Sequence, residues 1–269
     1  MKATNIEGDF LDIISSPQNS LVKKLKLLST SKGRKLYGEF IVEGNKFALN
    51  IPKGWKVEHL IFSQSFAESL SDMSDYDKPI ILKDSIFSSV SNTVTPSGVI
   101  SVVKIRNFEI RHILESSNKF VIIACSLQDP GNLGTLIRTA NAAGAAGVIV
   151  SKDSADIWSP KVVRSTAGSL FNIPIVVESI DIAAAKLKEE GLKLIATDLS
   201  AEKSPYQVDL KQPLALMIGN ESKGLSSDLI TLADIRVKLP MNSDVESLNA
   251  SVASGILMYE VLRQRMKIC

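Results

Sequence analysis

The sequence predicts an α/β protein in two parts: a small α/β/α layer domain, then a larger domain built on a parallel sheet. Three observations lead there. Short apolar segments alternate with helical ones along the whole chain. In the second half these become continuous apolar runs, such as "KFVIIAC" from Lys119 and "PLALMI" from Pro213, which suit strands covered on both faces. Finally, three segments rich in Asn, Gly and a Glu or Arg fall where a strand gives way to a helix, the place where α/β proteins put ligands. At 269 residues the chain exceeds one average domain, so two are expected.

The elements follow in order. Leu21, Leu25 and Leu28 recur at helical spacing in Ser20–Ser29, with lysines on the other face. Glu39–Gly44 reads as a strand and 45–50 as a short helix. Val57–Ser63, Pro79–Lys83 and Gly98–Lys104 read as further strands, closing a first domain at residues 1–104. The polar run 105–118 is assigned to a linker, and 119–269 to the second domain. There, strands are expected at 119–126, 147–151, 173–178, 192–197, 213–218 and 235–239, and helices at 132–143, 180–190, 226–232 and 247–265. No internal repeat or low-complexity tract is evident.

Composition narrows the class. Forty-five per cent hydrophobic and 22 per cent charged residues are ordinary for a globular protein, and no apolar run is long enough to span a bilayer. The N-terminus carries Glu7, Asp9 and Asp12 rather than a basic, apolar leader, so the chain is expected in the cytoplasm. Cys125 and Cys269 offer no disulfide framework, and His59 and His112 stand apart, so no metal site is expected. Net charge is only +2, but Ser15–Gly38 carries Lys23, Lys24, Lys26, Lys32, Arg34 and Lys35 without one acid. Such a stretch either solvates a surface or meets phosphates.

The three segments carry the chemistry. In Ser126–Gly144, Asn132 is a candidate helix N-cap, and Arg138 lies off the apolar face, where a long side chain can lean back towards the carboxyl edge of the sheet. In Leu216–Ser226, the tetrad from Gly219 to Ser222, with Asn220 and Glu221 at its centre, follows an apolar strand, and its glycine permits a tight turn or contact with a flat ligand. In Pro240–Met258, Ser247 or Asn249 could cap a helix whose small residues allow close packing. No G-x-G-x-x-G follows either first strand, and no P-loop or G-x-S-x-G elbow occurs, which disfavours Rossmann, NTPase and hydrolase sites.

Together these segments closely resemble motifs one to three of the SpoU-type RNA ribose 2′-O-methyltransferases, a branch of the SPOUT superfamily, over about Lys119–Arg265. The basic opening and "EFIVEG" resemble the RNA-binding domain fused to many of these enzymes, over about Ser15–Lys104. The resemblance implies a deep trefoil knot in the second domain and S-adenosylmethionine as cofactor. It places that cofactor on three loops holding Thr197, Asp198 and Leu199; Ile218, Gly219, Asn220 and Glu221; and Leu239, Met241, Ser247 and Leu248. It also implies a homodimer. Asn132, Arg138, Ser247 and Asn249 match catalytic positions, and Arg164 matches an Arg placed near RNA, beside the six basic residues of the N-terminal stretch. Where the family usually has glycine, this chain has Ser243, which could shift cofactor contacts.

The chemistry implied is in-line methyl transfer to a ribose hydroxyl, in which positioning contributes much of the rate. An arginine gives up its proton only with great difficulty and is a poor base, so Arg138 reads better as a clamp on the developing alkoxide and neighbouring phosphate. With an RNA-binding domain attached, large-subunit ribosomal RNA is favoured over tRNA. The alternative is a non-catalytic RNA-binding or ribosome-assembly protein that keeps the fold as a scaffold; a third reading, a small-molecule enzyme, conflicts with the basic N-terminal stretch.

Overall fold

A computed structural model describes residues 12–242, 244 and 247–266. Ser243, Glu246, Cys269 and the acidic N-terminal residues up to Leu11 lie outside the described residues. Contacts divide the chain into two compact units, the first running to Arg106 and taking in Trp158–Arg164, the second comprising Asn107–Ile157 and the chain from Ser165. The segment Trp158–Arg164 is therefore a return of the later chain to the first unit. Trp158 explains it: its ring lies 4.8 Å from Phe40 and 6.2 Å from Trp55, centroid to centroid.

The first unit runs β1 (Ile13–Ile14), α1 (Ser20–Leu28), α2 (Ser31–Tyr37), β2 (Glu39–Glu43), α3 (Asn45–Ala48), β3 (Val57–Ser63), α4 (Gln64–Ser69), β4 (Ile80–Leu82), α5 (Asp84–Val90) and β5 (Val99–Lys104). Its sheet has the order β1-β4-β3-β5-β2 and is mixed, with β5 antiparallel to both neighbours. Asn19 starts α1 by accepting from the Leu21 amide at 2.8 Å, and Val22, Leu25 and Leu28 bury against Ile41, Ile61 and Phe87. Lacking an apolar stripe, α2 is not foreshadowed by periodicity. It forms because Thr30 caps the Gly33 amide at 3.1 Å and because Gly33 packs on the end of α1.

The second unit contains α6 (Ile110–Leu114), β6 (Phe120–Ala124), α7 (Pro130–Ala142) and β7 (Gly147–Ser151); α8 (Pro160–Ser165) follows, all but its last residue in the first unit, and the second unit resumes with β8 (Ile175–Glu178), α9 (Ile180–Glu189), β9 (Lys193–Thr197), β10 (Leu214–Ile218), α10 (Ser227–Leu232), β11 (Ile235–Val237) and α11 (Ala250–Arg265). All six strands are parallel, in the order β11-β9-β10-β6-β7-β8. The linker expected at 105–118 is not a free connector: Ile110 and Ile113 of α6 are buried in this unit's core. Its polar residues hid a two-residue apolar anchor.

Helix α11 is held at its C-terminal end by Arg265, whose Nη2 donates to the Gln212 carbonyl and whose Nη1 donates to Asn118 Oδ1, both at 2.6 Å. The guanidinium also lies 5.4 Å over the Phe120 ring. Its small residues serve contact with α7: a Cβ on Gly255 would sit 3.7 Å from the Thr139 methyl. Among the described residues no helix is long and apolar enough to cross a membrane.

Gly33 offers a test of the first unit. A Cβ there would lie 2.0 Å from the Leu27 carbonyl oxygen, a backbone atom that cannot swing aside. Gly33→Ala should destabilise this unit by about 1–3 kcal/mol, the usual cost of overpacking. Trp55 and Trp158 are the chain's two tryptophans and both belong to this unit. A lower urea midpoint in tryptophan fluorescence is therefore the readout, and an unchanged midpoint would exclude this packing.

Candidate functional site

The strand order creates the site. After β8 the chain crosses to lay down β9 one strand short of β6, and β10 then fills the gap. Open parallel sheets bind ligands outside the carboxyl ends of strands where the winding reverses. Here the loops after β6 and β10 meet: the Cys125 amide donates to the Ile218 carbonyl at 2.8 Å, and Asn220 Nδ2 donates to the Ser126 carbonyl at 2.8 Å. Burial pushes the Cys125 thiol up to about 12, so it is an inert filler beneath the loops.

A chain of side-chain amides crosses this junction. Asn249 Oδ1 caps α11, accepting from the Ser251 and Val252 amides at 3.0 and 3.3 Å. That orientation leaves its Nδ2 to donate to Asn132 Oδ1 at 3.0 Å. Asn132 must then present its own Nδ2, which donates to Glu221 Oε1 at 3.1 Å. An ionised carboxylate only accepts, so it can end the chain. Glu221 also receives the amides of Asp129 at 3.2 Å and Gln128 at 3.4 Å. Burial by itself would raise the Glu221 carboxyl, but the Asn132 side chain and the surrounding amides outweigh it and hold the group below the usual range.

Asn132 is not the N-cap of α7. Asp129 is: its carboxylate accepts from the Asn132 amide at 2.8 Å, and Pro130 occupies the first turn. An Asp-Pro pair is the cue for that start, and it places Asn132 inside the first turn with its side chain free to bridge Asn249 and Glu221. In the third segment Asn249, not Ser247, is the cap.

Beside this chain lies a cavity of about 360 Å³ enclosed by the loops after β9, β10 and β11 and the start of α11. It is lined by Thr197, Asp198 and Leu199; by Ile218, Gly219, Asn220 and Glu221; and by Leu239, Met241, Ser247 and Leu248, together with Leu225, Val237, Ala253 and Leu257. Several of its polar side chains, that of Glu221 among them, are already engaged within the protein. Thr197 Oγ1 donates to the Met217 carbonyl at 3.1 Å. Asn220 Oδ1 accepts from the Ser222 and Lys223 amides. Asp198 accepts from Ser200 and Arg236, and although burial opposes it, these donors hold its carboxyl below the usual range. Beside these, the cavity is lined by apolar side chains, loop backbone and the polar residues Ser222, Lys223, Lys238 and Ser247, and its apolar wall and loop backbone suit a flat heterocycle read by backbone groups. Gly219 keeps the mouth narrow: a Cβ there would meet the Gly224 carbonyl carbon at 2.4 Å, across the paired Asn220 and Gly224 backbones.

Arg138 is not joined to this network. It is exposed on α7 and hydrogen-bonds to no side chain among the described residues. Ala253 and Leu257, one turn apart on α11, also line the cavity; in the sequence Ala253 reads only as one of the small residues that allow close packing.

The basic stretch divides. Lys23, Lys26, Lys32 and Lys35 are exposed. Lys24 instead pairs with buried Glu39 at 2.6 Å, which Lys104 also meets at 2.9 Å. Arg34 departs from the expected RNA face altogether: it is 4% exposed and its Nη1 donates to the Leu28 carbonyl at 2.8 Å, closing the end of α1. Arg164 is exposed and donates to the Asn92 carbonyl at 3.4 Å. Among the described residues no group of three or more His, Cys, Asp or Glu side chains is placed to hold a metal.

The model of the SpoU rRNA methylase family matches residues 119–259, and that of the MRM3-like substrate binding domain matches residues 19–101. The chain is 32% identical to the Bacillus subtilis 23S rRNA (guanosine(2553)-2'-O)-methyltransferase, over 92% of its own length and 98% of the relative's. It is 33% identical to an uncharacterised tRNA/rRNA methyltransferase of Synechocystis, over 94% of both chains. Among solved structures, it matches the AdoMet-bound rRNA methyltransferase of Sinorhizobium meliloti with a TM-score of 0.84 and 29% identity, covering 95% of this chain and 99% of that one.

The depressed Glu221 carboxyl sets a pH test. Its folded-state value lies below the unfolded one of about 4.3, so its contribution is complete above that pH and is lost as pH falls through the folded value. Glu221→Gln, which removes about 1 kcal/mol or more of charge-assisted bonding, should melt lower than the parent chain at pH 7 by calorimetry. The gap should close towards pH 3; a gap unchanged across that range would mean the charge contributes nothing.

Proposed function

This chain belongs to the SpoU rRNA methylase family, and we propose that its second unit moves a methyl group from S-adenosylmethionine to a ribose 2′-hydroxyl of large-subunit ribosomal RNA gripped by its first unit, in the cytoplasm. One observation carries the reading: the Asn249–Asn132–Glu221 chain stands beside a cavity with an apolar wall, which Glu221 itself lines. The cavity suits S-adenosylmethionine, which when bound supplies a methyl group activated on a sulfonium. Gly219 and the loop of Ile218–Glu221 would admit its flat base against backbone, while Leu239, Met241 and Leu248 close the apolar side. The resemblance further implies that the chain after β11 threads a knot, which would make these loops rigid.

The chain's own residues then have separable tasks. Asn132 and Asn249, each with its amide polarity set by neighbours, hold the ribose edge in register. Ser247 stands at the cavity rim, beside the reacting oxygen. Arg138, whose guanidinium donates and does not accept, donates to the RNA phosphate and lowers the energy of the alkoxide as the hydroxyl proton departs to water. Lys23, Lys26, Lys32, Lys35 and Arg164 supply phosphate contacts, whose binding weakens with salt.

Transfer of tritiated methyl to unmodified ribosomal RNA, with tRNA in parallel, tests this. Label resistant to base removal should appear in ribosomal RNA. Arg138→Ala should reduce its rate by about 10²–10³-fold, the usual effect of losing one charge-stabilising donor. Gly219→Ala should lose cofactor affinity, because its Cβ collides with backbone. Label in tRNA alone would overturn the substrate assignment, and full activity of Arg138→Ala would overturn its role.

We also propose that two copies pair through α11. Val252, Ile256 and Tyr259 form an exposed apolar stripe at helical spacing, with Tyr259 53% exposed. A self-complementary helix face is what a twofold dimer needs. Light scattering should show twice the chain mass for the parent protein and once that mass for the Ile256→Asp, Tyr259→Asp double variant; an unchanged mass would exclude this face.

A further inference from the structure

The loop that carries Glu221's partners is itself held from the opposite side. Four consecutive amides after β6 are each engaged: Ser126 donates to Ser151 Oγ at 2.8 Å, Leu127 to Ser154 Oγ at 3.1 Å, and Gln128 and Asp129 to Glu221. The strip thus lies between the end of β7 and the site. Ser126 is in the left-handed region, φ +55°, which a non-glycine residue adopts only where its surroundings require it. Its hydroxyl donates to Asp153 Oδ2 at 2.5 Å, and the side chain of Gln128 donates to the Asp153 carbonyl. The Ser126 hydroxyl, followed by that of Ser151, holds the Asp153 carboxyl below the usual range, so it is an acceptor at neutral pH.

We propose that Asp153, on the loop after β7, is a positioning residue for methyl transfer: by fixing Ser126 in its left-handed conformation it turns the Gln128 and Asp129 amides onto Glu221, which in turn sets Asn132 and Asn249. The side chain reaches no cavity wall, so its effect passes through the strip alone. With Asp153 gone, Ser126 relaxes towards negative φ, the strip rotates, and Glu221 loses two of its donors. Cofactor and RNA still bind, because neither the apolar wall nor the lysine surface has moved; the ribose is then held out of line. This inference rests on the methyl-transfer reading given above.

The test compares the parent chain with Asp153→Ala, Asp153→Asn, Ser126→Gly and the Asp153→Ala, Ser126→Gly pair. Asp153→Ala should lower kcat by about 10²-fold, the scale of an ångström-sized misplacement, while KM for RNA and Kd for S-adenosylmethionine stay within about twofold. Asp153→Asn keeps one acceptor for the Ser126 hydroxyl and should recover most of the rate. In the pair, the loss should not exceed that of the worse single variant, because both act through one contact. Deuterium exchange of residues 126–132 in the ligand-free protein should be faster in Asp153→Ala. Parent-like kcat, unchanged exchange, additive losses, or a fall in kcat matched by KM and melting temperature would each overturn the proposal. If the parent chain methylates no RNA, the methyl-transfer reading fails, and the exchange result still decides whether Asp153 holds the strip.

Discussion

The site depends on a polarity constraint. A side-chain amide has one end that accepts and one that donates, and in a row of amides each choice dictates the next. The row here is anchored at both ends by groups with no choice: the N-terminal amides of α11, which only donate, and the Glu221 carboxylate, which only accepts. Asn249 and Asn132 are thereby forced into one orientation each. Two side chains 117 positions apart are thus oriented by groups of the chain itself. This is the kind of organisation that methyl transfer rewards, since little is asked of the protein beyond holding two reactants in line.

The constraint can operate only because of the strand order. Glu221 follows β10, Asn132 opens α7 after β6, and Asn249 opens α11 after β11. The adjacency of β10 and β6 brings the first two together, and α11 packing across α7 brings in the third. The apolar interior of the sheet, from Val121 and Ile123 to Ala215 and Met217, makes the platform under the loops stiff. Asp198, one of the two acids that line the cavity, is paired with Arg236 and accepts from Ser200.

The same economy governs the basic stretch of the first unit. Six cations stand in one acid-free run, yet two are structural. Arg34 closes a helix end, and Lys24 meets the buried Glu39, 15 positions away. The pattern of charge in the chain had no means of separating these from Lys23, Lys26, Lys32 and Lys35. Only the burial of Glu39 and of the α1 terminus distinguishes a cation that stabilises the fold from one left on the surface.

What the sequence by itself determined was local. Continuous apolar runs announced every strand of the parallel sheet to within about two residues, because burial on both faces leaves no room for polar residues. The three Asn- and Gly-rich segments marked the loops, since only special backbones and short amide side chains suit those turns. The remainder was settled by tertiary structure. Which residue caps α7 turned on competition between Asp129 and Asn132 for the same amides. Arg34 and Lys24 were withdrawn from the surface by partners brought near through folding. Residues 107–118 joined the core because Ile110 and Ile113 found a face of the sheet to cover. Asp153 lies in none of the three segments, and Ser126 only opens the first; what couples them is a left-handed backbone and a hydrogen bond between residues 27 positions apart. Local spacing specifies what a segment can form, and long-range contact decides which of its groups remain free.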